Sequence, residues 1–274
     1  VYSHEQKQKH FEENKDWLIE NNHLVPEKIL EKLKISRRTL NSWKKYLGLP
    51  NLFFNRKTNL KYKEREFIEP YKLGWCLGLF SADGYLAKKK SSYSSTITER
   101  VSLCLAISDE VLVRNFFNIL LIDPSEKLFR RVRPSSIGKQ DKISAIATVP
   151  EFIKIIKKFL TFKNKTYDVR LNIDEFSKSD NLFKMDFLRG LIDGDGYVNK
   201  TGSGISIVSA SENFLLDVQK MYGGQVKKRK NGICWDIFFK KDEVFQLWKD
   251  GLNYDEEIIL KRKTERINKN VLNR

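Results

Sequence analysis

Apolar residues fall at helical spacing through the first fifty positions. Phe11, Trp17, Leu18 and Leu24 punctuate an otherwise polar stretch, and Ile29, Leu30 and Leu33 form a stripe behind Pro26, a residue suited to a first helical turn. Ser36 then stands as the N-cap of a third helix, which carries Leu40, Trp43 and Leu47 on one face and ends at Gly48, with Pro50 beyond. Residues 51–72 have no clean period and read as a connector. After them the pattern switches twice between helical stripes and strands of period two. In residues 73–181 it predicts a helix, strands ending at about 100–107, a helix at about 109–121, strands at 127–133 and 142–148, and a helix from Pro150. Residues 182–274 repeat the order, with strands to 204–209, a helix at 211–222, strands at 225–230 and 233–240, and a helix from Asp242. Asn231-Gly232 is a two-residue hairpin signal between the last two strands.

The two passes share a motif. LGLFSADGYL at 77–86 and LRGLIDGDGYV at 188–198 both read G-L-x-x-small-D-G-Y, and Asp195 stands 112 residues after Asp83. A repeated αββαββα unit implies internal duplication with pseudo-twofold symmetry. The predicted domains are therefore 1–50, a linker at 51–72, and repeats at 73–181 and 182–274. Gly78 and Ala82 are four apart, as are Gly190 and Gly194, so each pair lies on one helix face. Small residues there let two backbones approach closely, which places the two motif helices against each other. Asp83 and Asp195 then end their helices, each before a Gly expected to take the left-handed turn. A carboxylate at a helix C-terminus opposes the dipole by roughly 0.3–1 kcal/mol, and two meeting there repel one another. A hard divalent cation such as Mg²⁺, held by one or two carboxylates, carbonyl oxygens, water and phosphate, relieves both costs.

Composition narrows the chemistry. Lys plus Arg total 51 against 35 Asp plus Glu, a formal charge of +16 spread along the chain, which points to a polyanion and first to nucleic acid. A hydrophobic content of 41% is enough for a sizeable core and argues against disorder. No apolar run is long enough to cross a bilayer. His4, His10 and His23 are all the histidines, so the repeats work without imidazole, which disfavours Ser-His hydrolases and His-ligated metals. Cys76, Cys104 and Cys234 are too scattered for a zinc site or a disulfide framework and fit a reducing compartment. A cytoplasmic protein of a bacterial or phage-infected cell is expected, rather than an organellar one.

The two motif segments resemble the paired signatures of the LAGLIDADG homing endonuclease family in its single-chain form, and the likeness extends over residues 73–274. The resemblance implies an α/β fold of the α+β type, in which two pseudo-symmetric repeats form saddle-shaped antiparallel sheets on double-stranded DNA. It implies a monomer that hydrolyses both strands of a long site with Mg²⁺, or Mn²⁺ in its place, and leaves short 3′ overhangs. It makes Asp83 and Asp195 the metal-binding acids. It also implies a lysine late in each repeat, which by position is Lys163 in FLTFKNK and Lys261 in IILKRK, with Lys263 the alternative. Such lysines suit developing negative charge. Asp109 and Ser211 are further polar residues expected near the metals. One departure is that the family's other aspartate is Asp193 in the second motif but Ser81 in the first. That position is not the metal ligand, so activity is expected to survive.

Strand alternation supplies expected DNA contacts, Arg100 and Ser102 in the first repeat and Gln225, Lys227 and Arg229 in the second; Arg131 and Arg133 are expected as partners in the first repeat, with Lys88 and Lys90 at its entrance. The small all-α domain at 1–50 resembles a helix-turn-helix, whose second helix would present Arg37, Arg38, Asn41, Ser42 and Lys45 to DNA. No obligate protein partner is implied. Two other functions share these features: a catalytically silent DNA-binding regulator and an intron RNA maturase. Retention of both Asp83 and Asp195 disfavours the regulator, because binding alone needs no carboxylate facing phosphate.

Overall fold

The computed structural model describes residues 4–21, 26–47, 61–63, 68–90, 97–122, 124–132, 141–162, 167–230, 232–252 and 263–267. The chain forms two compact units, Val1–Asn59 and Leu60–Arg274.

The first unit contains α1 (His4–Glu20), α2 (Pro26–Leu33) and α3 (Arg37–Tyr46). The apolar stripes converge on one small core of Phe11, Leu18, Ile29, Leu33, Leu40 and Trp43. A His10 Nε2–Leu33 carbonyl hydrogen bond of 2.9 Å ties α1 to the end of α2. Between α2 and α3 Lys34 adopts φ = 49°, a left-handed turn conformation that costs a non-glycine residue on the order of 1 kcal/mol. Ser36 Oγ then accepts the Thr39 N–H at 3.1 Å and caps α3. Lys44 lies on the buried side of α3, and that burial lowers its ammonium pKa.

The second unit begins with β1 (Lys61–Tyr62), inside the stretch read as a connector, because β1 pairs with β4 (Leu121–Ile122). Then α4 (Pro70–Asp83) opens with its proline in the first turn. The order continues with β2 (Gly84–Lys90), β3 (Ile97–Ala106), α5 (Glu110–Leu120), β4, β5 (Arg130–Val132), β6 (Lys142–Ala147) and α6 (Pro150–Phe159). A bridging segment carries β7 (Leu160–Phe162), β8 (Val169–Leu171) and α7 (Ile173–Ser177). The second pass is α8 (Asn181–Asp195), β9 (Gly196–Val198), β10 (Ile205–Ser209), α9 (Glu212–Tyr222), β11 (Gln225–Lys228), β12 (Trp235–Phe239) and α10 (Lys241–Leu247). Asn231 of the hairpin signal lies outside the described residues, while Gly232 lies within them.

Duplication is visible in the sheets. The first runs β2-β3-β6-β5 and the second β9-β10-β12-β11, so both are antiparallel and both start from the motif strand at one edge. In each, one face is apolar and packs inward, with Val101, Leu103, Ile143 and Ala145 in the first and Ile205, Ile207, Ile237 and Phe239 in the second, all nearly solvent-free. The two short ladders, β1–β4 and β7–β8, left no periodic trace in the sequence. The second of them is anchored from α9: the buried Asp217 accepts from Arg170 Nε at 2.6 Å, Arg170 Nη2 at 2.9 Å and the Leu171 N–H at 3.1 Å. Asp217→Ala leaves a charged partner and an amide unsatisfied, so chemical denaturation should show a loss of about 2 kcal/mol, below the range for a fully buried pair because Arg170 is 44% exposed. Ser211, expected near the metals, instead caps α9 and donates to the Val169 carbonyl at 3.0 Å. Among the described residues no helix is long and apolar enough to cross a membrane.

Candidate metal centre

The centre of the second unit is the packing of α4 on α8, the most extensive contact between elements among the described residues. The two backbones nearly touch. A Cβ added to Gly78 would overlap the Phe187 carbonyl oxygen and sit 2.9 Å from Leu191 N, and one on Gly190 would overlap the Trp75 carbonyl oxygen and sit 3.0 Å from Gly78 Cα. Gly74, which the motif did not single out, extends the same stripe against the Phe183 carbonyl.

At the C-terminal ends the stripe finishes on the acids. A Cβ on Gly194 would overlap Ala82 Cβ and lie 2.8 Å from Asp83 Oδ2. The Asp83 carboxylate is therefore laid directly beside the residue that precedes Asp195, and both aspartates are partly solvent-accessible at the last residue of their helices. The following glycines behave differently from expectation. Gly84 (φ −82°, ψ 163°) and Gly196 (φ −81°, ψ 145°) are extended rather than left-handed, because each helix passes straight into a strand. Glycine is needed there for room: a Cβ would overlap the Phe80 ring at Gly84 and the Ile192 backbone at Gly196.

Ser81 and Asp193 are buried and form no part of the exposed acidic pair. Asp193 Oδ2 accepts the Trp75 indole N–H at 2.9 Å across the helix interface. The positions related by the repeat are Phe187 for Trp75 and Ser81 for Asp193, each 112 residues apart. Phe187 offers no donor, so no carboxylate is wanted opposite it, and Ser81 satisfies itself by donating to the Leu77 carbonyl at 2.8 Å. The unequal motifs thus follow from an unequal aromatic pair. Asp193→Ser is expected to cost about 1–3 kcal/mol by stranding the indole, and adding Trp75→Phe should recover part of the loss in a double-mutant cycle of thermal unfolding.

Donor chemistry at the helix ends fits a small hard cation. The ligands on offer are two carboxylates and backbone carbonyls, all oxygen, and among the described residues no group of three His, Cys, Asp or Glu forms an all-protein cage. That composition suits Mg²⁺, which keeps several of its ligands as water or substrate oxygen. Cys76 is no competitor as a nucleophile, because burial, with the Asp186 charge added, pushes its thiol pKa well above the ordinary value.

Paired residues in an antiparallel ladder point to the same face. On the first sheet's outer face this places Tyr85, Ala87 and Lys89 with Thr98, Arg100 and Ser102, and Arg130 with Ser144. Lys88 and Lys90, expected at the entrance of the first repeat, share the parity of Leu86, on the core side, and Arg131 pairs with the buried Ile143, away from the face that Arg100 presents. Ser102 has the right parity but is buried between its neighbours and donates to the Ala145 carbonyl at 3.4 Å. On the second sheet Gln225 pairs with Phe238 and Lys227 with Asp236, both on the outer face, while Arg229 is held by Asp236 through bonds of 2.6 and 2.7 Å. Ser42 is exposed on α3, and the side chains of Arg37, Arg38, Asn41 and Lys45 lie outside the described residues, as do Lys163, Lys261 and Arg133.

A LAGLIDADG-like domain model matches residues 183–226, the second motif helix through β11. The solved structure of the homing endonuclease I-WcaI bound to its DNA recognition sequence is similar over 82% of this chain and 96% of that one, with a TM-score of 0.52 at 16% identity. The chain has the LAGLIDADG fold in its single-chain, two-motif form. The structure of I-DmoI in complex with DNA and Ca covers 72% of this chain and 96% of that one, at 12% identity and a TM-score of 0.47. No curated protein sequence matches the chain. Within the LAGLIDADG frame, the outer-face residues that sequence reasoning missed are Lys89, Arg130, Tyr85, Tyr197 and Phe238. Counting every second position from the residue after each motif glycine, 85, 87 and 89 in the first strand and 197 in the second, would have found the two tyrosines and Lys89.

Proposed function

We propose that the chain is a site-specific, double-stranded DNA endonuclease. The observation that carries this reading is the Asp83 carboxylate packed beside Gly194, one residue before Asp195, at the paired ends of two helices flanked by matching sheets. Asp83 and Asp195 would hold Mg²⁺, with Mn²⁺ as a substitute. The metal, when bound, polarises a phosphodiester and activates water. The chain's own part is to orient the duplex. Gln225, Lys227, Lys89, Arg100 and Arg130 stand on the outer faces of the two sheets and supply donors to phosphates and base edges. Lys163 and Lys261 are the residues we assign to stabilising charge on the cleaved phosphate. Cleavage of both strands in a long site with short 3′ overhangs completes the reading, and I-WcaI, which is bound to its DNA recognition sequence, supports it through shared fold.

The repeats at 73–181 and 182–274 would form the nuclease body. The three helices at 1–50 would be a helix-turn-helix that extends or tethers recognition, joined through 51–72. The protein would act as a monomer in the cytoplasm of a bacterial or phage-infected cell. The test is incubation with a plasmid carrying the uninterrupted parental locus, with Mg²⁺ and then with EDTA. Linear product with Mg²⁺ alone is expected. A footprint without any cleavage would favour the silent regulator, and intron splicing that survives substitution of both aspartates would favour the maturase. Deleting residues 1–50 should weaken or broaden site binding in a gel-shift assay while cleavage persists; unchanged affinity and footprint would reject a DNA role for that unit.

A further inference from the structure

One buried cation stands next to the acidic helix ends and has no role in the function proposed above. Lys263, in the helical segment 263–267, is only 7% exposed, and its ammonium donates to the carbonyls of Ile192 at 2.5 Å, Asp193 at 2.8 Å and Gly194 at 3.4 Å. Three residues on, Arg266 Nη1 donates to the Val198 carbonyl at 2.9 Å, and Ile267 is buried in the main core. The segment therefore grips the second motif on both sides of Asp195, at the end of α8 and at the end of β9. The adjoining cavity, lined in part by Arg189, Asp193 and Lys263, has a volume of about 20 Å³. That is room for one water and not for a ligand, so Lys263 is not there to bind a small molecule.

We infer that Lys263 is a positioning residue, a resident cation that holds the Asp195 end of the metal centre in its working shape before any metal arrives. The physical need is specific. The last carbonyls of a helix lack internal donors and carry about half a negative charge, and this helix end also bears Asp195 and abuts Asp83. A neutral cap would satisfy the carbonyls. Only a cation also balances the charge, and it does so at the cost of opposing the cation that follows. Lys263 and the metal are thus partial substitutes for one another in stabilising this end. The inference rests on the reading of Asp83 and Asp195 as metal ligands.

That substitution gives a signature that a simple brace would lack. Thermal unfolding followed by circular dichroism, with Mg²⁺ titrated from zero to saturation, should show Lys263→Met lowered in Tm by about 3–6 °C without Mg²⁺. The gap to wild type should narrow by about 1–3 °C at saturating Mg²⁺, the RT ln 3 supplied by a half-saturating Mg²⁺ lowered on the order of threefold. Lys263→Arg, which keeps the charge and the donors, should follow wild type. A loss of Tm in Lys263→Met that is the same at every Mg²⁺ concentration would overturn the inference while leaving the metal centre intact. If Lys263→Met does not fold, Lys263→Gln, which keeps a neutral donor, carries the same comparison. Asp195→Asn separates the two levels: were wild type to show no Mg²⁺-dependent Tm that this variant removes, the metal assignment itself would fail and this inference with it.

Discussion

Asp83→Asn and Asp195→Asn are each expected to reduce double-strand cleavage on the order of a hundredfold or more while leaving DNA affinity within a few-fold of wild type. The asymmetry between the two readouts follows from position. Both carboxylates sit at the last residue of a motif helix and not among the strand residues assigned to hold the duplex, so an isosteric amide removes a hard anionic ligand while those donors stay in place. The amide also relieves charge at a helix C-terminus, worth about 0.3–1 kcal/mol, so metal-free Tm should hold or rise slightly. A melt that holds would separate loss of activity from unfolding. The checks are a plasmid linearisation time course, a gel shift and a thermal melt on the same preparations. Full cutting by either variant would remove these residues from the roles given them.

Gly78→Ala and Gly190→Ala are the stability counterparts, and here even the sign is informative. In an exposed helix the change from Gly to Ala stabilises by about 1 kcal/mol. Here the new methyl would drive into the Phe187 or the Trp75 carbonyl of the facing helix, and the backbones cannot part without loosening every contact along α4 and α8. Overpacking against backbone costs up to about 3 kcal/mol or more, so a net loss of roughly 2 kcal/mol is expected for each variant in urea denaturation. Gly194→Ala should cost stability and activity together, because its methyl would meet Ala82 and the Asp83 carboxylate, and moving α4 away from α8 separates the acids. A stabilised Gly190→Ala would show that the helix interface is looser than the atomic contacts require.

The order of elements in each repeat and the meeting of the motif helices were legible in the sequence because each is written in periodicity or in a four-residue spacing of small side chains. The acids at the helix ends were legible for the same reason. What was not legible is instructive. Lys88 and Lys90, expected at the entrance of the first repeat, share the parity of Leu86, and Arg131 pairs with the buried Ile143, a partner that the short run around it does not state. Ser102 has the right parity but is small enough to be covered by its neighbours. Arg229 is exposed, yet its guanidinium is already bidentate on Asp236, a partner seven residues away across a hairpin. The reach of Lys263 back to residues 192–194 joins positions about seventy apart, which local pattern cannot reveal.

The exchange of Trp75 with Asp193 for Phe187 with Ser81 bears on how such a chain could have arisen and what it can no longer do. Two copies of the first half, joined as a homodimer, would set an indole against a serine on both sides of the seam. Two copies of the second half would bury two carboxylates against phenylalanine. Each mismatch strands a polar group away from water, at about 1–3 kcal/mol apiece. The halves are therefore complements: a first half packs best on a second half, and pairing of two like halves is disfavoured.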